Sequence, residues 1–160
     1  MALAGAPVNG DAPRPHIAML AIEGAGARVV YHKMWLGGAE SDRFAAGGKP
    51  AVLEIDGWRL GLAICRDTGV AQHASDTAAL GIDAYVAGIL ESAEDAAVLD
   101  ERARRVATGH QAWVVMASFA GSTGGGFSSA AGRSGVWRSD GVAVARAGPE
   151  PGALARATLS

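Results

Sequence analysis

The chain has 160 residues, of which 49% are apolar and 19% charged, and its net charge is −2. That is enough apolar material for one domain with a core, and it excludes an intrinsically disordered chain. The near-neutral balance gives no electrostatic case for nucleic acid or an anionic membrane, and no apolar stretch reaches the length of a membrane span.

Residues 1–15, "MALAGAPVNGDAPRP", carry three prolines and no periodicity. They are expected as an irregular lead-in to a single domain spanning residues 16–160. His16 to Ile22 and Arg28 to His32 read as two strands around a Gly-containing turn. "MWLGGAESDRFAAGGKP" is a polar, Gly-rich loop with room for one helical turn. "AVLEIDGWRLGLAIC" is a second hairpin, with Asp56-Gly57 as its turn signal. "TGVAQHASDTAALG" predicts a short helix ending at Gly81, and "IDAYVAGIL" a strand.

Ser92 with Asp95 resembles a capping box. Leu99, Ala103, Val106 and Ala107 then recur at the spacing of one helix face. "AWVVMASFA" is a strand and "GSTGGGFSSAAGRSG" a long loop. "GVWRSDGVAVARA" is a hairpin over Asp140-Gly141, and "GALARATL" a final short strand. Hairpins mixed with helices make the fold class α+β, a layered sandwich.

Three features invite chemistry. The Gly/Ser loop lacks the G-x-x-x-x-G-K-[ST] pattern, so it reads as a pocket-lining loop and not a phosphate cradle. The four histidines, His16, His32, His73 and His110, show no i, i+4 pair. They therefore predict no metal site and read as ordinary polar or half-buried residues.

The third feature is Cys65, the only cysteine in the chain, which excludes an internal disulfide and fits a cytoplasmic setting; no secretory signal is visible at the N-terminus. A lone cysteine in an apolar run is often a buried, inert thiol. Here the run ends at Cys65, polarity changes at once with Arg66 and Asp67, and Asp67-Thr68-Gly69 supplies turn and helix-cap chemistry. A thiol near a helix N-terminus is an activated nucleophile, so both readings stand on the residues alone.

A wider order of residues runs through "YHKMWLGGAESDRFAAGGKPAVLEIDGWRLGLAICRD". Tyr31, Lys33, Leu36, Glu40, Phe44 and Gly47 are followed by Gly61, Ile64, Cys65 and Asp67. Downstream come "GIDAYVAG", "AWVVMASFAG" and "GRSGVWRSDGVAVARAGPEPGALARATL". This order resembles the central and C-terminal portion of the nitrilase superfamily, the carbon–nitrogen hydrolases, from about His16 to the C-terminus.

The resemblance implies an α-β-β-α layered sandwich, N-terminally incomplete. It implies hydrolysis of a small linear amide, or a nitrile, through a thioester on Cys65. Lys33 and the backbone N–H of Arg66 would stabilise the anionic intermediate, Glu40 would orient the site and Asp67 would shape the turn. It implies no metal or other cofactor, and a homo-oligomer. Ser118 stands where many members carry Asn, a position expected to face the substrate. The family's general base is a glutamate on a helix ahead of the lysine segment. Asp11 and Glu23 are the only carboxylates before Lys33, and neither sits on such a helix. The competing expectation is a catalytically silent, nitrilase-like binding or scaffold subunit.

Overall fold

Small and apolar residues in alternation build an antiparallel sheet at the start of the chain, in the order β1 (Ala2–Val8), β2 (His16–Glu23), β3 (Gly26–His32). The computed structural model describes residues 1–24, 26–123 and 127–160. Ala25, within the expected Gly-containing turn, and residues 124–126, inside the expected Gly/Ser loop, lie outside the described residues.

The expectation of an irregular segment over residues 1–15 fails for its first half. Residues 2–8 pair in full register with β2, from Ala2 against Ile22 to Val8 against His16. Apart from Val8 the segment is Ala, Gly, Pro and Leu, residues of weak or no strand preference. Pro7 is tolerated because β1 is an edge strand, where a missing N–H breaks no second ladder.

After a single helical turn, α1 (Gly38–Ser41), the chain enters a second, six-stranded sheet. It holds β4 (Val52–Ile55), β5 (Trp58–Ile64), β6 (Ala84–Ile89), β7 (Trp113–Ser118), β10 (Gly135–Trp137) and β11 (Ala143–Arg146). A short ladder, β8 (Ala120–Gly121) with β9 (Ala130–Ala131), lies between β7 and β10 in sequence. The β4–β5 hairpin turns at Asp56 and Gly57, with φ of 49° and 85°, the two left-handed residues of a type I′ turn.

Strands β5, β6 and β7 run parallel. The crossovers between them carry α2 (Ala71–Ala78) and α3 (Ala96–His110). Both helices pack on one face of the six-stranded sheet, and the three-stranded sheet packs on the other. Side chains of β5 therefore alternate between two cores. Ala63 joins the helix-side cluster with Tyr85, Leu99, Val106, Met116 and Trp137. Leu62 and Ile64 join the inter-sheet cluster with Met19, Tyr31 and Leu53.

The predicted face of α3 is the buried one: Leu99, Ala103, Val106 and Ala107 are each at most 2% exposed. A glycine at position 61 lets α2 sit close to the sheet, since a Cβ there would lie 2.5 Å from the Thr77 methyl. The predicted last strand is absent. Residues 153–160 alternate between half-buried and exposed, as an extended segment does, but no ladder pairs them. Among the described residues no helix is long and apolar enough to cross a membrane.

Candidate active site

The parallel strands end at one rim, and ligands of such sheets bind outside the carboxyl ends of the strands. Cys65 follows β5, Leu90 follows β6, and Ser118 and Phe119 close β7. All four line one cavity of about 610 Å³. Its opposite wall comes from the three-stranded sheet, with Leu3 to Pro7 of β1 and Ile17 and Met19 of β2. Most of the wall is apolar, and its charged groups are Lys33 and Glu40.

Lys33 leaves β3 and is 2% exposed. A buried ammonium needs a partner, and Glu40 supplies both oxygens, at 2.7 and 2.6 Å from Nζ. The single turn of α1 exists to present that carboxylate. Glu40 Oε2 also accepts from the Gly37 N–H at 2.6 Å, which ties the side chain to the start of its own helix. Burial opposes the charged form of Glu40. The Gly37 N–H, the Lys33 ammonium and the field of Arg66 together outweigh that and hold its carboxyl below the ordinary range.

Cys65 opens a five-residue 3-10 turn, Cys65–Gly69, with φ at 47°. Left-handed backbone in a residue with a side chain is strained, and such residues concentrate at functional sites. Three contacts hold the turn in addition to those of the Asp67 carboxylate. The Thr68 hydroxyl donates to the Cys65 carbonyl at 2.7 Å, the Arg105 guanidinium donates to the Thr68 carbonyl at 2.9 Å, and the Cys65 thiol donates to the Leu90 carbonyl at 3.2 Å. Arg102 bonds Glu91 at 3.2 Å, fixing the chain next to Leu90.

The structure brings Cys65, Lys33 and Glu40 to one cavity. Arg66 has an exposed side chain, and its N–H lies in the first turn of the 3-10 segment, where backbone donors lack helical partners. Asp67 does not line the cavity. It is fully buried behind Cys65 and accepts from the Ile64 N–H at 2.9 Å, the Trp35 N–H at 2.8 Å and the Tyr31 hydroxyl at 2.7 Å. Ser118 does line the cavity, and its Oγ is buried with no hydrogen-bond partner among the described residues. Asp11 and Glu23 are exposed and are not among the residues that line the cavity.

His73 departs from the expectation of an ordinary half-buried histidine. It is fully buried in α2, with Nε2 2.8 Å from the Tyr31 oxygen and Nδ1 2.8 Å from the Tyr85 oxygen. No local pattern announces this group, because its partners lie 42 and 12 residues away. Burial pushes the imidazole below its ordinary range despite the opposing fields of Asp67 and Asp76, so His73 is neutral near pH 7. Burial, then the field and hydrogen bond of Asp67, push the Tyr31 phenol up. Burial and Asp67 do the same to Tyr85, against Arg105.

A family model described as carbon-nitrogen hydrolase matches residues 2–160. Among solved structures, a cysteine-to-alanine mutant of the amidase from Nesterenkonia sp. AN1 in complex with butyramide is similar in fold, with a TM-score of 0.82 at 23% identity. The match covers 96% of this chain and 59% of that one. Saccharomyces cerevisiae Nit3, a member of branch 10 of the nitrilase superfamily, matches with a TM-score of 0.79 at 21% identity, over 91% of this chain and 54% of its own. A glutamate-to-glutamine mutant of the Nesterenkonia amidase shows covalent addition of the acetamide moiety of fluoroacetamide at its active-site cysteine. It matches at 0.79 and 21%, over 96% and 59% of the two chains. The chain thus spans less than two thirds of the length of these structures. No curated protein matches it.

Proposed function

The chain belongs to the carbon–nitrogen hydrolase family of the nitrilase superfamily, and from that premise we propose that it hydrolyses a small linear amide through a thioester on Cys65. The observation that carries this reading is the juxtaposition in one cavity of a thiol on a strained turn and a buried Lys33 paired with a half-buried Glu40. The wall supports the substrate class: beyond those groups and Ser118 the lining side chains are apolar, Phe44 and Phe119 among them, which fits an uncharged acyl chain.

In the first step the Cys65 sulfur bonds to the amide carbon and the carbonyl oxygen takes up the electron pair. The Lys33 ammonium and the Arg66 N–H stabilise that oxyanion. Collapse of the intermediate breaks the C–N bond, and the amine leaves with the thiol proton. Water then cleaves the thioester, giving a carboxylic acid and the free thiol. Glu40 keeps Lys33 oriented through both steps.

The test is turnover of short aliphatic amides by the purified chain, with mass spectrometry of the acylated protein. Turnover and a Cys65 adduct are expected in the wild type, and neither in Cys65→Ala. A second reading has its own observation: Glu40 is the one carboxylate in the cavity wall among the described residues, and it is committed to Lys33. With no further carboxylate to act as general base, the chain would bind amides as a silent subunit. Amide binding by calorimetry without any turnover would select this second reading.

A further inference from the structure

Four buried groups join the two cores of the molecule through hydrogen bonds. Tyr85 belongs to the helix-side cluster and Tyr31 to the inter-sheet cluster, with His73 between them. Proton counting gives the chain a direction. Asp67 Oδ2 is 2.7 Å from the Tyr31 oxygen, and the one phenolic hydrogen of Tyr31 goes to it. The Tyr31 oxygen is then an acceptor for His73, so His73 Nε2 carries hydrogen. Nδ1 of the neutral ring is in turn an acceptor, and the Tyr85 hydroxyl donates to it. The sequence of donors is Tyr85 to His73, His73 to Tyr31, Tyr31 to Asp67.

The end of that chain is the nucleophile's backbone. Asp67 Oδ2 shares its lone pairs between Tyr31 and the Ile64 N–H, the amide immediately ahead of Cys65. The left-handed φ of Cys65 begins at the next residue. A strained conformation persists only where its surroundings over-determine it. If the His73 ring turned to its other tautomer, Nε2 would compete with Asp67 for the Tyr31 proton, and Asp67 would hold the turn with one donor fewer.

We propose that His73 is a positioning residue for Cys65: its Nε2–H tautomer, set by Tyr85, aims the Tyr31 hydroxyl at Asp67 and so holds the turn that presents the thiol to the cavity. The proposal rests on the reading of Cys65 as a nucleophile, but its test does not need amide turnover. Cys65 is the only cysteine, so the rate of alkylation by iodoacetamide reports on this thiol alone.

The variants are His73→Leu, His73→Gln, Tyr85→Phe and Tyr31→Phe, each checked for folding by near-ultraviolet circular dichroism. Loss of one hydrogen bond corresponds to up to about a tenfold change. His73→Leu and Tyr31→Phe are therefore expected to alkylate up to about tenfold more slowly than the wild type at pH 7. Tyr85→Phe should fall between them and the wild type. His73→Gln keeps a donor for Tyr31 and an acceptor for Tyr85, and should restore most of the rate.

Long-range 1H–15N spectra of the wild type should show the Nε2–H tautomer of His73 at pH 7, and those of Tyr85→Phe a mixture. A folded His73→Leu at or above the wild-type rate overturns the proposal, as does a His73→Gln as slow as His73→Leu. Should His73→Leu not fold, Tyr31→Phe decides in the same way, since it removes one oxygen and leaves the ring. An Nδ1–H tautomer in the wild type overturns it outright. Wild-type protein that turns over no amide, yet keeps these rate differences, sinks the hydrolase reading and leaves the positioning role standing.

Discussion

The two faces of the six-stranded sheet differ in what they leave empty. On the helix side, Trp137, Tyr85, Val114 and Met116 are at most 1% exposed and close against Leu99, Ala103 and Val106 of α3. On the other side the three-stranded sheet covers Leu62 and Ile64, but near the strand ends it stands off and encloses about 610 Å³. Cys65 sits where the two meet. The packed face anchors the turn through Arg105 and Thr68, and the open face gives it the cavity. Dense packing and the cavity thus lie on opposite faces of one sheet, so packed-face substitutions outside the Tyr85–His73 hydrogen-bond chain should move stability, and those in the cavity wall reactivity.

The largest expected effect tests the packed face. Trp137→Ala removes a fully buried indole and should lower the unfolding free energy by about 3–5 kcal/mol. Urea denaturation measures this, and Cys65 alkylation in the folded state should be unaffected. Next comes the open face. Lys33→Met should reduce amide turnover by about 10²-fold, the usual cost of losing one oxyanion-stabilising group. It should also return the Glu40 carboxyl upward, which an NMR titration of that side chain would detect.

Gly47→Ala is smaller and sharpens the boundary between the faces. A Cβ there would lie 2.2 Å from the His32 carbonyl oxygen, and the Gly47 N–H bonds the Lys33 carbonyl at 2.8 Å. The backbone carrying Lys33 must shift, at about 1–3 kcal/mol, so turnover and denaturation midpoint should fall together. A change in the midpoint alone would break the assignment of that loop to the reactive face.

The smallest effect is a pH dependence. His73 is held below its unfolded value near 6.5, so the unfolded chain binds more protons as the pH falls. Stability from this group is complete above about pH 6.5 and declines below it, until the folded-state value is reached. His73→Gln should flatten the denaturation midpoint over that interval, and an unchanged slope would show that the imidazole is not buried neutral.

Much of this arrangement was legible in the residues. Asp56-Gly57 and Asp140-Gly141 marked their turns through local chemistry, and the face of α3 was written in its spacing. The ordered pattern from Tyr31 to Asp67 pointed to Lys33, Glu40 and Cys65 as one constellation. What was not legible has physical causes. Residues 2–8 hold one β-branched side chain, Val8, and no aromatic one, and their pairing with β2 is a tertiary effect. Residues 153–160 show a strand's alternation, but an alternating pattern does not supply a ladder partner. The role of His73 depends on Tyr31 and Tyr85, which the fold and not the sequence brings to it.

The φ of 47° at Cys65 separates two pressures that act on that position. For folding alone, glycine is the better residue, since it adopts this backbone freely while a side chain there costs about 1–2 kcal/mol. Cys65→Gly should therefore tolerate more denaturant than the wild type while losing the only thiol in the chain.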